Sequence, residues 1–427
     1  MTRRRPVVLC LGTLDTKGPE TRFIAESVRA QGCDTLVLDC GILGEPQDIV
    51  ADITREEAAR AAGTTIEALR QAGSRGVAID EMIKGVKALG EQLHQQGRID
   101  GVVALGGAEG SVLAAATMTS LPVGLPKLLV SPIASGRRNF GPFVGTRDVT
   151  VMHSVVDILG LNSIAMEVYE NAASAIAGMA SAHFRRQSQS EKVSTRLQVA
   201  ATMLGNTTKP LMWIRQQMAA DHEELVIFHA NGVGGAAMEE SLDSGRFQGV
   251  IDYTLSELAG EVAGGFHVCD SCERLSAASR LGLPQVVVPG CVDFSVHGAP
   301  EEVPESIRER PSYYHNPEFT LVRLTTEEQC EVGRRIVSRL NASTGEVIVV
   351  LPLQGLSVSD RRGGVFEAPE ISLQFQRILH EGLREGIEIR EVDAHINDQA
   401  CAEAVLSAWQ SLASGRKVGR SHVEGEA

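Results

Sequence analysis

Short runs of apolar residues alternate with helical stretches along nearly the whole chain. The runs are rich in Val, Leu and Ile and are continuous, which is typical of strands buried on both faces of a parallel sheet. They predict strands at Val7–Leu11, Thr35–Asp39, Gly101–Leu105, Lys127–Ser131, Gln198–Leu204, Leu225–His229, Gly249–Tyr253, Gln285–Pro289, Val347–Leu351 and Ile387–Val392. Helices are predicted at Ile79–Gln96, Glu109–Ser120, Ile164–His183 and Ile371–Glu385. This alternation predicts an α/β protein with two Rossmann-like, doubly wound subdomains, each with a mainly parallel sheet flanked by helices.

A polar segment divides the chain. Residues 185–196 are rich in Ser and Gln and lack apolar periodicity, which is typical of a linker. We therefore expect an N-terminal subdomain at 1–184, a C-terminal subdomain at 197–415 and a flexible tail at 416–427.

Two further features concern the organisation of the chain. Leu11–Pro19 and Leu204–Pro210 both run from a first strand through Leu-Gly and Thr-Lys into a helix with an early proline, a pattern that fits a distant duplication. Residues 292–320 contain several prolines and no clear periodicity. We expect an irregular lid or site loop there.

Composition narrows the class of protein. The 427 residues carry 40 Lys and Arg against 54 Asp and Glu, a net charge of −14, which argues against a protein that coats nucleic acid. No apolar run approaches the roughly 20 residues that span a bilayer, so no membrane partner is expected. The 8 cysteines are scattered rather than arranged as a disulfide framework, and we expect a reduced, cytoplasmic protein.

Ligands of doubly wound sheets bind at the carboxyl ends of strands, so the loops there are the candidate sites. After the first strand, Gly12 permits a sharp exit, and Thr13, Thr16 and Lys17 supply hydroxyl and ammonium donors. With the N–H groups of the next helix, they favour a phosphate or carboxylate. Asp15 could orient Lys17, hold a ribose hydroxyl or bind Mg²⁺ through water. The alternative is a helix cap with a solvated lysine.

A second glycine-rich loop follows the third predicted strand. Gly106, Gly107, Gly110 and Ser111 would let the backbone approach an anion closely, although tight strand-to-helix turns need glycine anyway. Glu109 would repel a phosphate unless a cation lies between them.

Arginines follow the next strand. Arg137, Arg138 and Arg147 lie within one segment of eleven residues, although the chain as a whole is acidic. Arginine binds phosphate or carboxylate in a bidentate manner. The alternative is a solvated surface on which these arginines pair with acids.

The second half offers a similar loop. The glycines that follow the strand ending at His229 are a candidate cradle for the substrate, formed by Asn231, Gly232, Gly234 and Gly235. The next strand ends at Asp252, and Glu257 follows it. These two acids could position a hydroxylated substrate or a metal, or else Thr254 or Ser256 simply caps a helix.

Other polar residues of the second half are candidates for catalysis. Asp293 and His315 join Asp252 and Glu257 as candidate acids and bases, with Asn316 as a substrate contact. The pair Cys269 and Cys272 precedes a helix, but no second pair completes a zinc site, so no metal site is predicted.

These loops, in this order, resemble the family of tomato mosaic virus resistance protein-like ATP-binding proteins. The matching segments are Gly12–Gly18, Gly145–Asp148, Ser154–Ile158, Gly160–Asn162, Phe228–Ala230, Gly232–Gly235, Ala237–Glu239, Pro284–Val287, His315–Pro317, Leu351–Leu353 and Gly363–Gly364. The resemblance covers nearly the whole chain.

The resemblance implies an ATP and Mg²⁺ site in the N-terminal subdomain, and a homodimer. Its ATP contacts would fall on Gly12–Gly18, on Gly106–Ser111 and on a third segment that includes Ser131, Ser135 and Gly136, with Arg147 beside them. Glu109 and Arg147 depart from the small residues that the family usually has at these positions.

Two functions fit these observations. One is a nucleotide-binding protein that holds a small anionic ligand on glycine-rich strand-to-helix loops. The other is a hydrolase, lyase or isomerase that acts on a carboxylated or phosphorylated metabolite in the cleft between the halves.

Overall fold

The computed structural model describes residues 4–134, 141–188, 196–269 and 271–421. The chain forms two compact units, Met1–Val193 and Ser194–Ala427. Each unit contains a parallel sheet flanked by helices, so the predicted fold class of two Rossmann-like subdomains is confirmed.

The first unit is built on a five-stranded sheet in the order β2-β1-β3-β4-β5, with every described pairing parallel. Its strands are β1 Val7–Gly12, β2 Asp34–Asp39, β3 Gly101–Leu105, β4 Lys127–Ser131 and β5 Val149–His153. Its helices are α1 Leu14–Ala30, α2 Arg55–Ala61, α3 Ile66–Arg70, α4 Arg75–Gln95, α5 Ala108–Ser120, α6 Gly141–Val144 and α7 Ser163–Ser188.

The core of the first unit lies on both faces of this sheet. Because side chains alternate along a strand, Leu9 and Leu11 of β1 pack on one face, and Val8 and Cys10 pack on the other. The first face is covered by α2, α4 and α5, and the second by α1 and α7. This arrangement explains why β1 has no polar position to mark a solvent face.

Strand β5 and helix α7 of the first unit differ from the sequence prediction. Strand β5 was not predicted, because it lies at the edge of the sheet and its residues are only partly buried or exposed, so it lacks a continuous apolar run. Helix α7 continues to Ser188 and so includes the first residues of the segment predicted as a linker. The polar residues at its end are exposed, and such a helix end resembles a linker in composition.

The second unit contains a six-stranded parallel sheet in the order β14-β13-β9-β8-β6-β7 and a three-stranded antiparallel sheet in the order β10-β12-β11. Its strands are β6 Leu197–Met203, β7 Glu223–His229, β8 Phe247–Thr254, β9 Gln285–Gly290, β10 Phe294–His297, β11 Ser312–Asn316, β12 Phe319–Arg323, β13 Val347–Pro352 and β14 Glu388–Val392. Its helices are α8 Thr208–Ala220, α9 Val233–Leu242, α10 Ser256–Ala263, α11 Ala277–Leu281, α12 Thr326–Asn341, α13 Pro369–Gly382 and α14 Gln399–Ser421.

The antiparallel sheet corrects the expectation of an irregular segment at residues 292–320. Strands β10 and β11 have only 4 and 5 residues, and β11 is largely exposed. Strands this short, one of them carrying polar and aromatic residues on the surface, give no periodicity that a sequence window can detect.

The two parallel sheets share one topology. In each unit the first strand lies between the second and the third, and the fourth and fifth strands follow on the side of the third. The Leu-Gly turns noted in the sequence leave the first strand in both units. The common strand order therefore supports the idea of a duplication.

No helix in the described part of the chain is both long and apolar enough to cross a membrane.

Two glycines inside helices of the first unit generate a stability prediction. A Cβ atom at Gly85 of α4 would overlap the carbonyl oxygen of Ala58 in α2, whereas a Cβ atom at Gly178 of α7 would meet no atom within 4 Å. Gly85→Ala should therefore destabilise the fold by about 1–3 kcal/mol. Gly178→Ala should stabilise it by up to about 1 kcal/mol, because alanine favours the helix. Urea unfolding of both variants tests this, and shifts of the same sign would contradict the close packing of α2 on α4.

Candidate functional site

A cavity of about 540 Å³ lies at the carboxyl edge of the first sheet. It is lined by the loops that follow β1, β2 and β3 and by residues of α3, α4 and α5. Strands β1 and β3 are neighbours, and the connections from them lie on opposite faces of the sheet. This is the topological switch point, where doubly wound sheets bind their ligands.

The loop after β1 forms a tight turn before the regular helix begins. The N–H groups of Thr16 and Lys17 both donate to the carbonyl of Thr13, at 3.0 and 2.7 Å, and the hydroxyls of Thr13 and Thr16 lie 3.0 Å apart. Lys17 has a non-helical backbone (φ −129°), so regular α1 continues only from Gly18 and Pro19. The turn brings Thr13, Thr16 and Lys17 to the cavity wall.

The ammonium group of Lys17 uses only part of its hydrogen-bonding capacity within the protein. Its Nζ donates a hydrogen bond to the carbonyl of Ile158. An ammonium has three N–H donors, and this is its one hydrogen bond within the described part of the chain, so two donors remain. Lys17 is thus held in place at the cavity and still able to bind an anion.

Asp15 organises the loop after β2 instead of orienting Lys17. Its Oδ2 accepts the N–H groups of Leu43 and Gly44 at 3.1 and 3.0 Å. The Oδ1 of Asp39 accepts the N–H groups of Leu14 and Gly41 in a similar way, at 3.0 and 2.8 Å, and burial raises the pKa of Asp39. These carboxylates bind the β1 and β2 loops together.

The loop after β3 divides into a packed part and an open part. A Cβ atom at Gly106 would come within 3 Å of the backbone of Gly110 and Ser111, so this glycine serves the turn itself. A Cβ atom at Gly107 would meet no atom within 4 Å, and Gly107 lines the cavity together with Gly110. The hydroxyl of Ser111 bonds to the carbonyl of Gly106 and to the hydroxyl of Ser131, at 2.9 and 2.7 Å. Ser111 and Ser131 are buried and do not line the cavity, so their hydrogen bonds stabilise the loop from the protein interior.

Two arginines at this cavity escaped the sequence analysis. Arg75 of α4 forms an ion pair with Glu109, and so supplies the cation that Glu109 requires. Arg70 of α3 donates to the carbonyl of Ile42 at 2.8 Å and pairs with Glu45 at 3.3 Å. Both residues lie in helices, whereas the candidate binding residues were sought in the loops that follow strands, so neither arginine was predicted.

The predicted arginine cluster does not reach this cavity in the described residues. Arg147 precedes β5 at the amino edge of the sheet, and its Nε donates to the carbonyl of Leu121 at 3.1 Å. Ser135 and Gly136 lie outside the described residues, as do Arg137 and Arg138.

In the second unit, the glycine cradle holds a carboxylate of the chain itself. The Oε1 of Glu257 accepts the N–H groups of Gly232 and Gly235 at 2.9 and 3.0 Å. Gly232 adopts φ +98°, a backbone conformation that favours glycine. The side chain of Asn231 accepts the N–H group of Gly234 at 3.2 Å. The amides of Gly232 and Gly235, predicted as part of a substrate cradle, thus bind a carboxylate of the chain itself.

Asp252 and Glu257 belong to a buried ion network around Arg274. The guanidinium donates to Glu257 at 2.6 Å, to Glu239 at 2.6 Å and to Asp252 at 2.8 Å, and all of these side chains are buried. Burial raises the pKa of Glu239. Removal of one partner from such a network typically costs about 3–5 kcal/mol. These two catalytic candidates therefore stabilise the fold of the second unit.

Asp293 lies in a separate buried cluster. Its Oδ2 accepts the hydroxyl of Ser357 at 2.7 Å, and its Oδ1 has no hydrogen-bond partner among the described residues. Burial, together with the nearby charge of Asp360, raises the pKa of Asp293 to about 7. Arg323 donates to the carbonyl of Asp293 at 2.7 Å and opposes this shift.

His315 and Asn316 line a second cavity, of about 160 Å³, in the second unit. His229 and His267 line it as well. This group of histidines was not predicted, because its members lie on three separate segments that only the fold brings together.

Cys269 and Cys272 form a disulfide, which corrects the expectation of a fully reduced protein. The other six cysteines are free and buried. The two bonded residues are only three positions apart, so the bond closes a short loop before α11.

The class of protein follows from these features: a two-unit Rossmann-like α/β protein with a charged cavity at the switch point of its first sheet. The N-terminal and C-terminal domain models of the uncharacterised protein family UPF0261 match residues 6–185 and 196–413. The chain belongs to this family.

Relatives along the whole chain agree with this assignment. A UPF0261 protein of Clostridium tetani is 37% identical over 399 residues, which cover 93% of this chain and 96% of that protein. The ToMV resistance protein Tm-1(GCR237) of Solanum lycopersicum is 30% identical over 425 residues, covering 95% of this chain and 56% of that protein. The family resemblance predicted from the loops is confirmed.

Among solved structures, the glycosyltransferase SnogD from Streptomyces nogalater is 11% identical with a TM-score of 0.18, over 95% of this chain and 99% of that chain. A likeness of this size carries no argument about function.

The buried carboxyl of Asp293 generates a pH prediction. Its pKa of about 7 in the folded state lies above the ordinary 3.8, so the folded state retains a proton that the unfolded state releases. The free energy of unfolding should therefore fall as pH rises from about 4 to about 7, by at most about 1.4 kcal/mol per pH unit. Asp293→Asn keeps the oxygen that accepts from Ser357 and removes this contribution to the slope.

Urea unfolding across this pH range measures the effect. The stability of the Asp293→Asn variant relative to the unsubstituted protein should increase with pH. The same change at the exposed Asp221 should leave the slope unaltered, and parallel profiles for all three proteins would contradict the raised pKa.

Proposed function

We propose that the first unit binds a nucleotide, ATP with Mg²⁺, in the 540 Å³ cavity. One observation carries the proposal. The turns after β1 and β3, which were predicted separately as anion-binding loops, line the same cavity, and Arg70 and Arg75 line it as well. Its volume lies within the range of roughly 300–1,000 Å³ that is usual for small-molecule sites.

The phosphates have donors on two sides. Lys17 retains two N–H donors, and α5 begins at Ala108, so the amides of its first turn have no partner within the helix. Backbone N–H groups and a positive helix end favour an anion at this position. Glu109 does not oppose this arrangement, because Arg75 neutralises it.

The base has an apolar wall. Ile42, Leu43, Leu69 and Ile79 line the cavity on the side of the β2 loop and of α3 and α4. Leu43 is 61% exposed, so it places apolar surface at the open side of the cavity. A ring system placed there keeps its phosphates toward Lys17 and Gly107.

Asp15 fits the role of the protein's contact to Mg²⁺. Its Oδ2 is used by the amides of Leu43 and Gly44, whereas its Oδ1 has no hydrogen-bond partner among the described residues. Mg²⁺ in nucleotide sites commonly takes one or two carboxylates, with phosphates and water completing its coordination. The bound ion would neutralise part of the phosphate charge.

Calorimetric titration with ATP and Mg²⁺ tests the proposal. Lys17→Met keeps the apolar stem and removes the charge, and should weaken binding about 10- to 100-fold, the value of a charge-assisted hydrogen bond. Lys84→Met, which removes an exposed lysine of α4, is the matched control and should leave the affinity unchanged. Gly107→Val should also weaken binding, because Gly107 lines the cavity and a Cβ atom there meets no protein atom within 4 Å, so the added side chain would occupy space at the cavity wall.

Other outcomes count against the proposal. Binding of ATP that neither Lys17→Met nor Gly107→Val weakens would place the nucleotide elsewhere. Binding of sugar phosphates without ATP would retain an anion site and reject the nucleotide.

A homodimer, which the family resemblance implies, is part of the same proposal. Size-exclusion chromatography with light scattering should give twice the chain mass of 45.6 kDa. The mass of a single chain would contradict it.

A further inference from the structure

The second cavity, of about 160 Å³, lies entirely within the second unit. The exits of β6 and β7 line it at one side, and the antiparallel sheet lines it at the other, through residues such as His315 and Phe319. His267 reaches it from the segment that connects α10 to α11. The nucleotide proposal does not involve this cavity.

Two asparagines present donors at its wall. The side-chain oxygen of Asn316 accepts the N–H groups of Glu318 and Phe319, both at 2.9 Å. The side-chain oxygen of Asn206 accepts the N–H group of Val358 at 3.2 Å. These bonds fix which end of each amide is the oxygen, so the NH₂ group of each is the end available to a ligand.

His267 is a half-buried imidazole with unused hydrogen-bonding capacity. Its Nδ1 is buried and has no partner among the described residues. Burial, and after it the neighbouring His229, lowers the pKa of His267 to about 4, so the ring is neutral at pH 7. A neutral imidazole offers one N–H donor and one acceptor nitrogen.

The position of His267 is set by close packing. Its carbonyl lies against Gly260 of α10, where a Cβ atom would overlap it, and the carbonyl of the next residue, Val268, lies against Gly232 in the same way. The disulfide and the buried Arg274 hold the chain that follows. The backbone that carries the imidazole is therefore fixed by close packing.

The charge of the wall defines the ligand class. No Lys, Arg, Asp or Glu is among the residues that line this cavity, and its other walls are apolar, including Phe294 and Leu321. Among the described residues, no group of three or more His, Cys, Asp and Glu has the geometry to hold a metal ion. Donors without acidic residues favour a ligand that presents several acceptor oxygens.

We propose that this cavity binds a small organic carboxylate. The amides of Asn206 and Asn316 and the imidazoles would bind its oxygens, and Phe294 and Phe319 would contact its short carbon chain. The volume of about 160 Å³ has room for a short-chain acid such as acetate, glycolate or pyruvate.

NMR of the imidazole Cε1–H signals tests the proposal, with acetate, glycolate and pyruvate as probes and acetamide as the uncharged analogue. At least one of the acids should shift the signals of His229, His267 and His315 in a saturable manner. The signal of His380, an exposed histidine of α13 outside the cavity, should not respond. No saturable shift with any acid, or an equal response to acetamide, would overturn the proposal.

The variant Asn316→Asp tests directly whether the NH₂ group of Asn316 binds the acid. The new carboxylate keeps an oxygen for the amides of Glu318 and Phe319 and replaces the donor with a negative charge, so the affinity for the acid should fall at least about tenfold. Asn162→Asp is the matched control, because that side chain caps α7 in the first unit through the same kind of bond and gains the same charge. Equal affinities for both variants would overturn the proposal even if the acid binds.

Discussion

The order of the strands is the constraint on which the candidate site depends. In each unit the first strand lies between the second and the third. In the first unit, α1 consequently packs on one face with α7, whereas α5 packs on the other with α2 and α4. Two helices that leave neighbouring strands toward opposite faces open a crevice at the carboxyl edge. The topology creates this crevice, and a few side chains decide whether it remains open.

The second residue of the helix after the third strand shows how the two units differ. In the first unit this residue is Glu109, whose ion pair with Arg75 leaves the two side chains 38% and 67% exposed, at the wall of a cavity. In the second unit it is Glu257, which is fully buried and fills the amide cradle of Gly232 and Gly235. The same residue type in the same place thus borders an open cavity in one unit and fills a backbone cradle in the other.

The difference between Glu109 and Glu257 also shows how far the site could be predicted from the sequence. The strand exits at Gly12 and Gly106 were predicted from local pattern, because buried strands and the glycines of a tight turn leave a local signal. The partners of Glu109 and Glu257 were not, because Arg75 and Arg274 reach them across 34 and 17 residues. A glycine-rich loop that binds a carboxylate of its own chain cannot be distinguished by its local sequence from one that binds a ligand.

Strand β5, the antiparallel sheet and the second cavity were not predicted, for a related reason. Strand β5 and the antiparallel sheet lack the continuous apolar runs by which the inner strands were recognised. His229, His267 and His315 come from three segments, and each alone resembles a structural histidine. Only the packing of the antiparallel sheet beside β6 and β7 assembles them.

Exposure separates the arginines that can bind a ligand from those that cannot. A polyphosphate in the first unit would have to compete with Glu109 for Arg75 and with Glu45 for Arg70. Exposed ion pairs of this kind contribute only about 0–1 kcal/mol, so exchange of one partner costs little. Arg274 has three acidic partners and no exposed surface, and loss of one of them costs about 3–5 kcal/mol. The same pairing of arginine with glutamate is therefore exchangeable in the first unit and permanent in the second.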